Sequence, residues 1–396
     1  MQRTLLKSIA SGLSIVALFL IFDSRSEVAR ATKVEPIQEK TVEQVQKNIK
    51  VLTGMPESQL IPAMNFFAAS MGRRCNYCHV NNQGEWDYAS DAKPEKASAR
   101  EMIKLVMDTN KTMERLKLDP VSCYTCHRGR TNPQSIPALP LALPSPPPNA
   151  GGLGGPTPGA SPQASPAATP ALPSADEIFS KYAAALGGQT AIDKLKSRTA
   201  KGTVTQANGG SFQFELSQAA PDKFYLLVTT PQGTIERGFN GQVGWEKTAR
   251  GVREITGTEL SNVKAANGLF TLLKLKEQYS RPPTRVRKDK LGDRDVFIID
   301  GTTTSNQRMR LYFDAASGLL LRRTMTTPTI VGIIPDQIDL EDYREAEGLK
   351  FPFIARIAIL EVGNPTSTRT FTELKLNVPV DESKFNMPPT PKPAGP

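Results

Sequence analysis

The pentapeptide Cys75-Asn76-Tyr77-Cys78-His79 returns as Cys123-Tyr124-Thr125-Cys126-His127, and the two copies use every cysteine and every histidine in the 396 residues. Cys-x-x-Cys-His is the attachment signature of a c-type haem. Two thiols at this spacing can add to the two vinyl groups of one porphyrin, and the imidazole beside the second thiol can then take the iron. Residues this rare do not fall twice into one pattern by chance. The spacing predicts two covalently bound c-type haems, held through Cys75, Cys78, Cys123 and Cys126, with His79 and His127 as proximal ligands. Zinc fits less well: its compact four-thiolate sites keep their pairs about 15–20 residues apart and have no use for a His after each pair. A thioredoxin-like redox pair occurs once, in a βαβ setting. Four cysteines in so long a chain are not a disulfide scaffold either.

No histidine remains for the far side of either haem. A methionine thioether can serve there, and it raises the potential. Met55, Met64, Met71, Met102, Met107 and Met113 all lie near the motifs. Each motif follows a helical pattern. The first runs from about Glu57 to Met71, with Leu60, Ile61, Met64, Phe67, Ala68 and Met71 on one face and Gly72 as its stop. The second runs from Pro94 to Leu116, with a stripe of Met102, Leu105, Val106, Thr109, Met113 and Leu116. A helix laid across a haem can aim one methionine at the iron. Met64 suits the first. Met102 suits the second, with Met107 and Met113 as rivals. Met71, four residues before Cys75, reads as packing.

The runs MNFFAASMGRRCNYCHV, SDAKPEKASAREMIKLVMDTNKTM and VSCYTCHRG, within residues 45–132, resemble the cytochrome c subunit of photosynthetic reaction centres, and short relatives of it in particular. The resemblance implies a helix bearing the axial Met, a turn and the Cys-x-x-Cys-His, twice. It assigns Met64 to the first haem and Met102 to the second. The family's subunit usually carries four haems; this chain has motifs for two, which points away from a reaction-centre role and toward other electron transfer.

Outward from the motifs, the N-terminus reads as an export signal or anchor over residues 1–31. Arg3 and Lys7 precede the apolar run Ile9–Phe22, and Ala29-Arg30-Ala31 offers a cleavage site. The run is short for a spanning helix, which needs about 20 residues. The rest of the chain is therefore expected in the periplasm, free after cleavage behind Ala31 or held at the inner membrane. Residues 134–173 carry no charge and consist mostly of Pro, Ala, Gly and Ser. Such a segment cannot bury enough apolar surface to fold and reads as a linker. It separates a dihaem domain, residues 32–133, from a second domain, residues 174–391.

The formal charge is +10, spread over all parts of the chain. A nucleic-acid binder concentrates its basic residues in one patch, so no nucleic-acid partner is expected. In the second domain Ser174 and Glu177 form a capping box for a helix over Ala175–Leu186, ended by Gly187. From Thr199 the pattern alternates through a series of strands, Thr199–Gln206 to Thr368–Leu376, joined at turns such as Asn240-Gly241. This predicts a large antiparallel sheet with few helices. The phrases AALGGQTAIDKLKSRTAKGTV, GFNGQVGWE, RLYFDAASGLLLRR and NVPVDESKFNMP look like the LolA-type lipoprotein-carrier superfamily. That resemblance implies a curved half-barrel with helices over its concave face and an apolar ligand. Trp245 reads as core rather than cavity lining. The domain has neither Cys nor His, so no hydrolase triad or His-based metal site is expected in it.

The expected class is α+β: a small helical two-haem domain, a Pro-rich linker and an antiparallel half-barrel-like domain. The expected function is an exported electron carrier, not an enzyme, that meets redox partner proteins in the periplasm or at the membrane. Two alternatives stand beside it, a dihaem peroxidase, which would need an open sixth site, and a lipid carrier with accessory haems.

Overall fold

A computed structural model describes residues 39–133, 172–360 and 366–389. The segment 1–31, read from the sequence as an export signal or anchor, lies outside the described residues, as does the Pro-rich stretch apart from Leu172 and Pro173. Among the described residues no helix is long and apolar enough to cross a membrane.

The first part holds helices α1 (Val42–Val45), α2 (Leu60–Met71), α3 (Pro94–Arg115) and α4 (Cys123–His127), with a small hairpin of β1 (Val80–Asn82) and β2 (Glu85–Asp87) after the first motif. A 3-10 turn, Glu57–Gln59, leads into α2. Pro94 opens α3, where a missing N–H costs nothing. The expected faces of both long helices need correction. In α2 the buried residues are Ala63, Phe66, Phe67, Ala68 and Ser70, so Phe67 and Ala68 lie where expected, while Ile61 is exposed. Phe66 turns to the second part, where its ring lies 3.6 Å from the place a Cβ on Gly332 would take. Phe66 and Val331 share one apolar cluster with Met55 and Phe67. In α3 only Ile103 is buried, and Met102 and Leu105 are exposed. Of the stripe read from the sequence, Val106, Thr109 and Met113 are half-buried, as are Met107 and Asn110, while Met102, Leu105 and Leu116 are exposed.

The second part opens with α5 (Ala175–Leu186) and α6 (Gln189–Asp193). The capping box is present: Ser174 Oγ accepts from the Glu177 N–H at 3.2 Å, and Glu177 Oε2 accepts from the Ser174 N–H at 2.7 Å. The strands follow as two meanders. The first is β3 (Ser197–Gln206), β4 (Ser211–Ala219), β5 (Lys223–Thr230), β6 (Gly233–Phe239), β7 (Gly244–Thr248) and β8 (Gly251–Ile255). After α7 (Gly257–Asn267) the second is β9 (Arg285–Leu291), β10 (Arg294–Thr302), β11 (Arg308–Asp314), β12 (Leu320–Thr329), β13 (Gly332–Ala346), β14 (Leu349–Ile359) and β15 (Thr366–Leu376).

All neighbours are antiparallel, and β15 pairs with β3, so the first and last strands join the two meanders into one 13-stranded sheet. Its edges, β8 and β9, do not pair, so the sheet is open rather than a closed barrel. The main core lies where α5 and residues 269–279 cover the second meander, with Phe179 and Tyr182 against Phe313. Trp245 is core: it is 1% exposed, and its Nε1 donates to the Phe385 carbonyl at 2.8 Å.

Candidate functional site

The first motif follows α2 through a tight stop. Gly72 takes the left-handed conformation, φ +62°, and the Arg73 N–H returns to the Ala68 carbonyl at 3.0 Å. A Cβ at Gly72 would stand 2.2 Å from the Gly129 carbonyl oxygen. Only glycine meets both the backbone angle and the close approach. Gly129 in turn donates its N–H to the Ser70 carbonyl at 2.8 Å. Arg73 extends the seam, its Nε donating to Thr131 Oγ1 at 2.5 Å and its guanidinium lying 4.9 Å over the Tyr77 ring. The helix before the first motif is thus fastened to the turn after the second.

Cys75–Tyr77 forms a single 3-10 turn, and the Cys78 and His79 N–H groups return to the Cys75 carbonyl at 3.3 and 3.0 Å. The second motif is the short helix α4, entered through Ser122, whose N–H donates to Thr125 Oγ1 at 3.0 Å. Asn110 of α3 holds that entry: its Oδ1 accepts from the Val121 N–H at 2.8 Å and its Nδ2 donates to the Val121 carbonyl at 2.9 Å.

The two imidazoles are set alike. His79 Nδ1 lies 3.3 Å from the Tyr88 carbonyl oxygen, and His127 Nδ1 lies 3.0 Å from that of Arg130. A carbonyl only accepts, so Nδ1 carries the proton in each bond and Nε2 keeps its lone pair for a metal. Burial first, and then the charge of Lys96, hold the His79 ring below its ordinary pKa, which favours the neutral form that ligates. Burial pushes the Cys78 thiol up, with Glu95 adding to it, and burial pushes the Cys123 thiol up as well.

Between the motifs lies a cleft of about 440 Å³, within the size range of cofactor sites. Its walls bring together Cys78 of the first motif, Cys123 and His127 of the second, and Met102. Among the α3 candidates, Met102 lines the cleft, whereas Met107 packs against the apolar cluster of Phe67 and Ile103, and Met113 is in neither place. Met64 packs against that cluster and does not line the cleft; Cys75, His79 and Cys126 are also outside its walls. Met71 does both, packing against the cluster and lining the cleft beside Cys78 and His127. Paired thiols on one turn, imidazoles with Nε2 kept for a metal and a mostly apolar cleft fit a c-type haem. Among the described residues no three His, Cys, Asp or Glu side chains converge as a metal site.

Sequence reasoning missed Asn110, Gly129 as the partner of Gly72, and Lys96, whose Nζ donates to the Tyr88, Ala89 and Ser90 carbonyls at 2.8, 3.0 and 2.7 Å. Lys96 also pairs with Asp91. Lys50 first, then Arg100 and Lys96, hold the Asp91 carboxyl far below its usual range. No local motif marks these residues, since each acts on a segment distant in sequence or on a backbone group.

Residues 17–153 match the family described as the photosynthetic reaction centre cytochrome C subunit. The chain is 35% identical over 91 residues to cytochrome c-554 of Chloroflexus aurantiacus, an alignment covering 22% of this chain and 21% of that one. It is 33% identical over 98 residues to the photosynthetic reaction center cytochrome c subunit of Rubrivivax gelatinosus, covering 24% of this chain and 25% of the relative. The chain thus spans between a fifth and a quarter of the length of these relatives. Among solved structures, a LolA superfamily protein of Nitrosomonas europaea aligns with 54% of this chain and 98% of its own, at 12% identity and a TM-score of 0.40.

Proposed function

We propose that the protein is an exported two-haem c-type cytochrome that passes single electrons between partner proteins. Cys75, Cys78 and His79 would hold one haem, and Cys123, Cys126 and His127 the other. Met64 and Met102 would complete the axial positions. When bound, such a haem supplies a one-electron couple whose potential is set by its axial ligands and their hydrogen bonds.

The observation that carries this reading is the shared setting of the two imidazoles, each with Nδ1 against a backbone carbonyl and Nε2 left for iron. The family match over residues 17–153 supports it from outside the geometry. Filling the sixth positions with thioethers suits a carrier rather than a peroxidase, which must admit substrate to the iron. The sheet serves as the body on which the haem-bearing part is mounted, with Phe66 of α2 set against the β12–β13 turn at Val331 and Gly332. The charged n-region and apolar run ahead of residue 31 support export.

The test is haem staining and an iron count on protein matured in a periplasm competent for c-type cytochromes, followed by a potentiometric titration. Two covalent haems and two reversible one-electron steps are expected. Fewer than two covalent haems per chain would overturn the assignment.

A further inference from the structure

The two histidines differ in what else their carbonyl partner does. The Arg130 carbonyl takes the His127 Nδ1–H at 3.0 Å, and no side-chain donor among the described residues joins it there. The Tyr88 carbonyl takes the His79 Nδ1–H at the longer 3.3 Å and also takes the Lys96 ammonium at 2.8 Å. Lys96 is 11% exposed, so its charge is little screened by solvent. It stands in the first turn of α3, a 22-residue helix whose N-terminal end repels cations. Local helix energetics therefore do not account for a lysine here. The carbonyls of Tyr88, Ala89 and Ser90 do, together with Asp91, whose Oδ1 is 3.3 Å away.

We infer that Lys96 is a positioning residue for the haem at the first motif: by sharing the Tyr88 carbonyl it weakens the His79 hydrogen bond and raises that haem's potential. The physical chain is short. A strong acceptor on the ring N–H makes an imidazole a better donor to iron and favours the ferric state. An ammonium on the same oxygen draws electron density away and reverses that effect, and its positive charge further disfavours the ferric form. Lys96 also fixes the 88–90 carbonyls in place, so the loop that orients His79 is tied to α3. Among the described residues the second site has no such device, and the two haems are tuned separately although their motifs share a sequence. The inference rests on the two-haem reading above.

The test is a spectropotentiometric titration of full-length holoprotein carrying Lys96→Gln, Lys96→Arg or Asp91→Asn. The first-motif couple is identified as the one missing from the Cys75→Ala, Cys78→Ala variant. Lys96→Gln should make reduction of that couple about tenfold less favourable, a shift of about 59 mV for one electron, with the other couple unmoved. Lys96→Arg should restore most of the shift. Asp91→Asn, which leaves its cations uncompensated, should move the same couple the opposite way. An unshifted first-motif couple in Lys96→Gln protein that still carries two haems overturns the inference and leaves the two-haem reading standing. So does an equal shift of both couples. If Lys96→Gln fails to take up haem, a downward or absent shift in Asp91→Asn overturns it instead. Absence of covalent haem from the unmodified protein would count against the two-haem reading itself.

Discussion

The haem-motif part and the sheet divide their work unequally. Within residues 39–133 the buried hydrophobic side chains are Val42, Leu52, Met55, Ala63, Phe66, Phe67, Ala68 and Ile103, and their cluster is completed by Val331 from the sheet. All the cysteines and histidines of the chain lie here. The sheet has a large core of its own, reaching from Tyr182 and Phe179 to Phe313 and Phe351. It holds neither a cysteine nor a histidine. The part that is legible as chemistry is thus the weaker in packing, and the part that is silent as chemistry is the stronger. A small domain buries a small fraction of its surface, so a cofactor domain gains from leaning on a larger neighbour.

The sharpest way to break this contrast is through the thiols. Replacing Cys75 and Cys78 by Ala should remove one of two covalent haems, and replacing Cys123 and Cys126 should remove the other, while far-ultraviolet circular dichroism of the sheet is unchanged. Loss of the sheet signal in either variant would mean that the sheet depends on the haem part. At the next level, Met64→Ala and Met102→Ala should each turn one haem high-spin and lower its potential, read by ferric near-infrared and electron-spin spectra. Met107→Ala and Met113→Ala should change little. Met71 is the discriminating case, because it lines the cleft with His127; if Met71→Ala, and not Met102→Ala, abolishes the second haem's Met signature, the second axial assignment belongs to α2.

Two packing variants sharpen the comparison from the side of stability. Trp245→Ala and Phe66→Ala should each cost about 3–5 kcal/mol, as large core truncations do. Trp245→Ala should lower the sheet's unfolding transition and leave the haem spectrum intact. Phe66→Ala should loosen the haem part first. Identical transitions in denaturant titrations followed by both signals would show one cooperative unit instead of two. The smallest expected difference lies in the seam between the motifs. Gly72→Ala and Gly129→Ala both force a left-handed backbone angle, at about 1–2 kcal/mol. Only at Gly72 does a Cβ also meet a backbone oxygen, whereas nothing lies within 4 Å at Gly129. Gly72→Ala should therefore be the less stable of the two, and equal melting temperatures would remove the seam as a structural feature.

Local rules carried a good deal of this molecule. The two Cys-x-x-Cys-His segments, the helices ahead of them, the Gly72 stop, the Ser174–Glu177 capping box and most strands can be read from spacing, because each depends on neighbours within a few positions. The two large-sheet strands that pattern reading passed over are its edges, β8 and β9. β9 reads RVRKDKL, and charge on an edge is what keeps it from pairing with another chain, so the feature that protects the edge also hides it. α7 was unread because its sequence, GTELSNVKAAN, has no clear apolar face.

What no local pattern contains is how the two motifs meet. The turn of Phe66 toward the sheet and the contact of Gly72 with Gly129 join segments far apart in sequence, while the Asn110 lock on Val121 and the Lys96 bond to the Tyr88 carbonyl span 11 and 8 positions, beyond a single turn or strand repeat. Several end on backbone groups, which every residue offers alike and which leave no mark in the order of side chains. The identity of the ligating types follows from chemistry that needs rare residues at fixed spacing. Which methionine shares a cleft with which histidine follows from packing, and packing exists only once the chain has closed on itself.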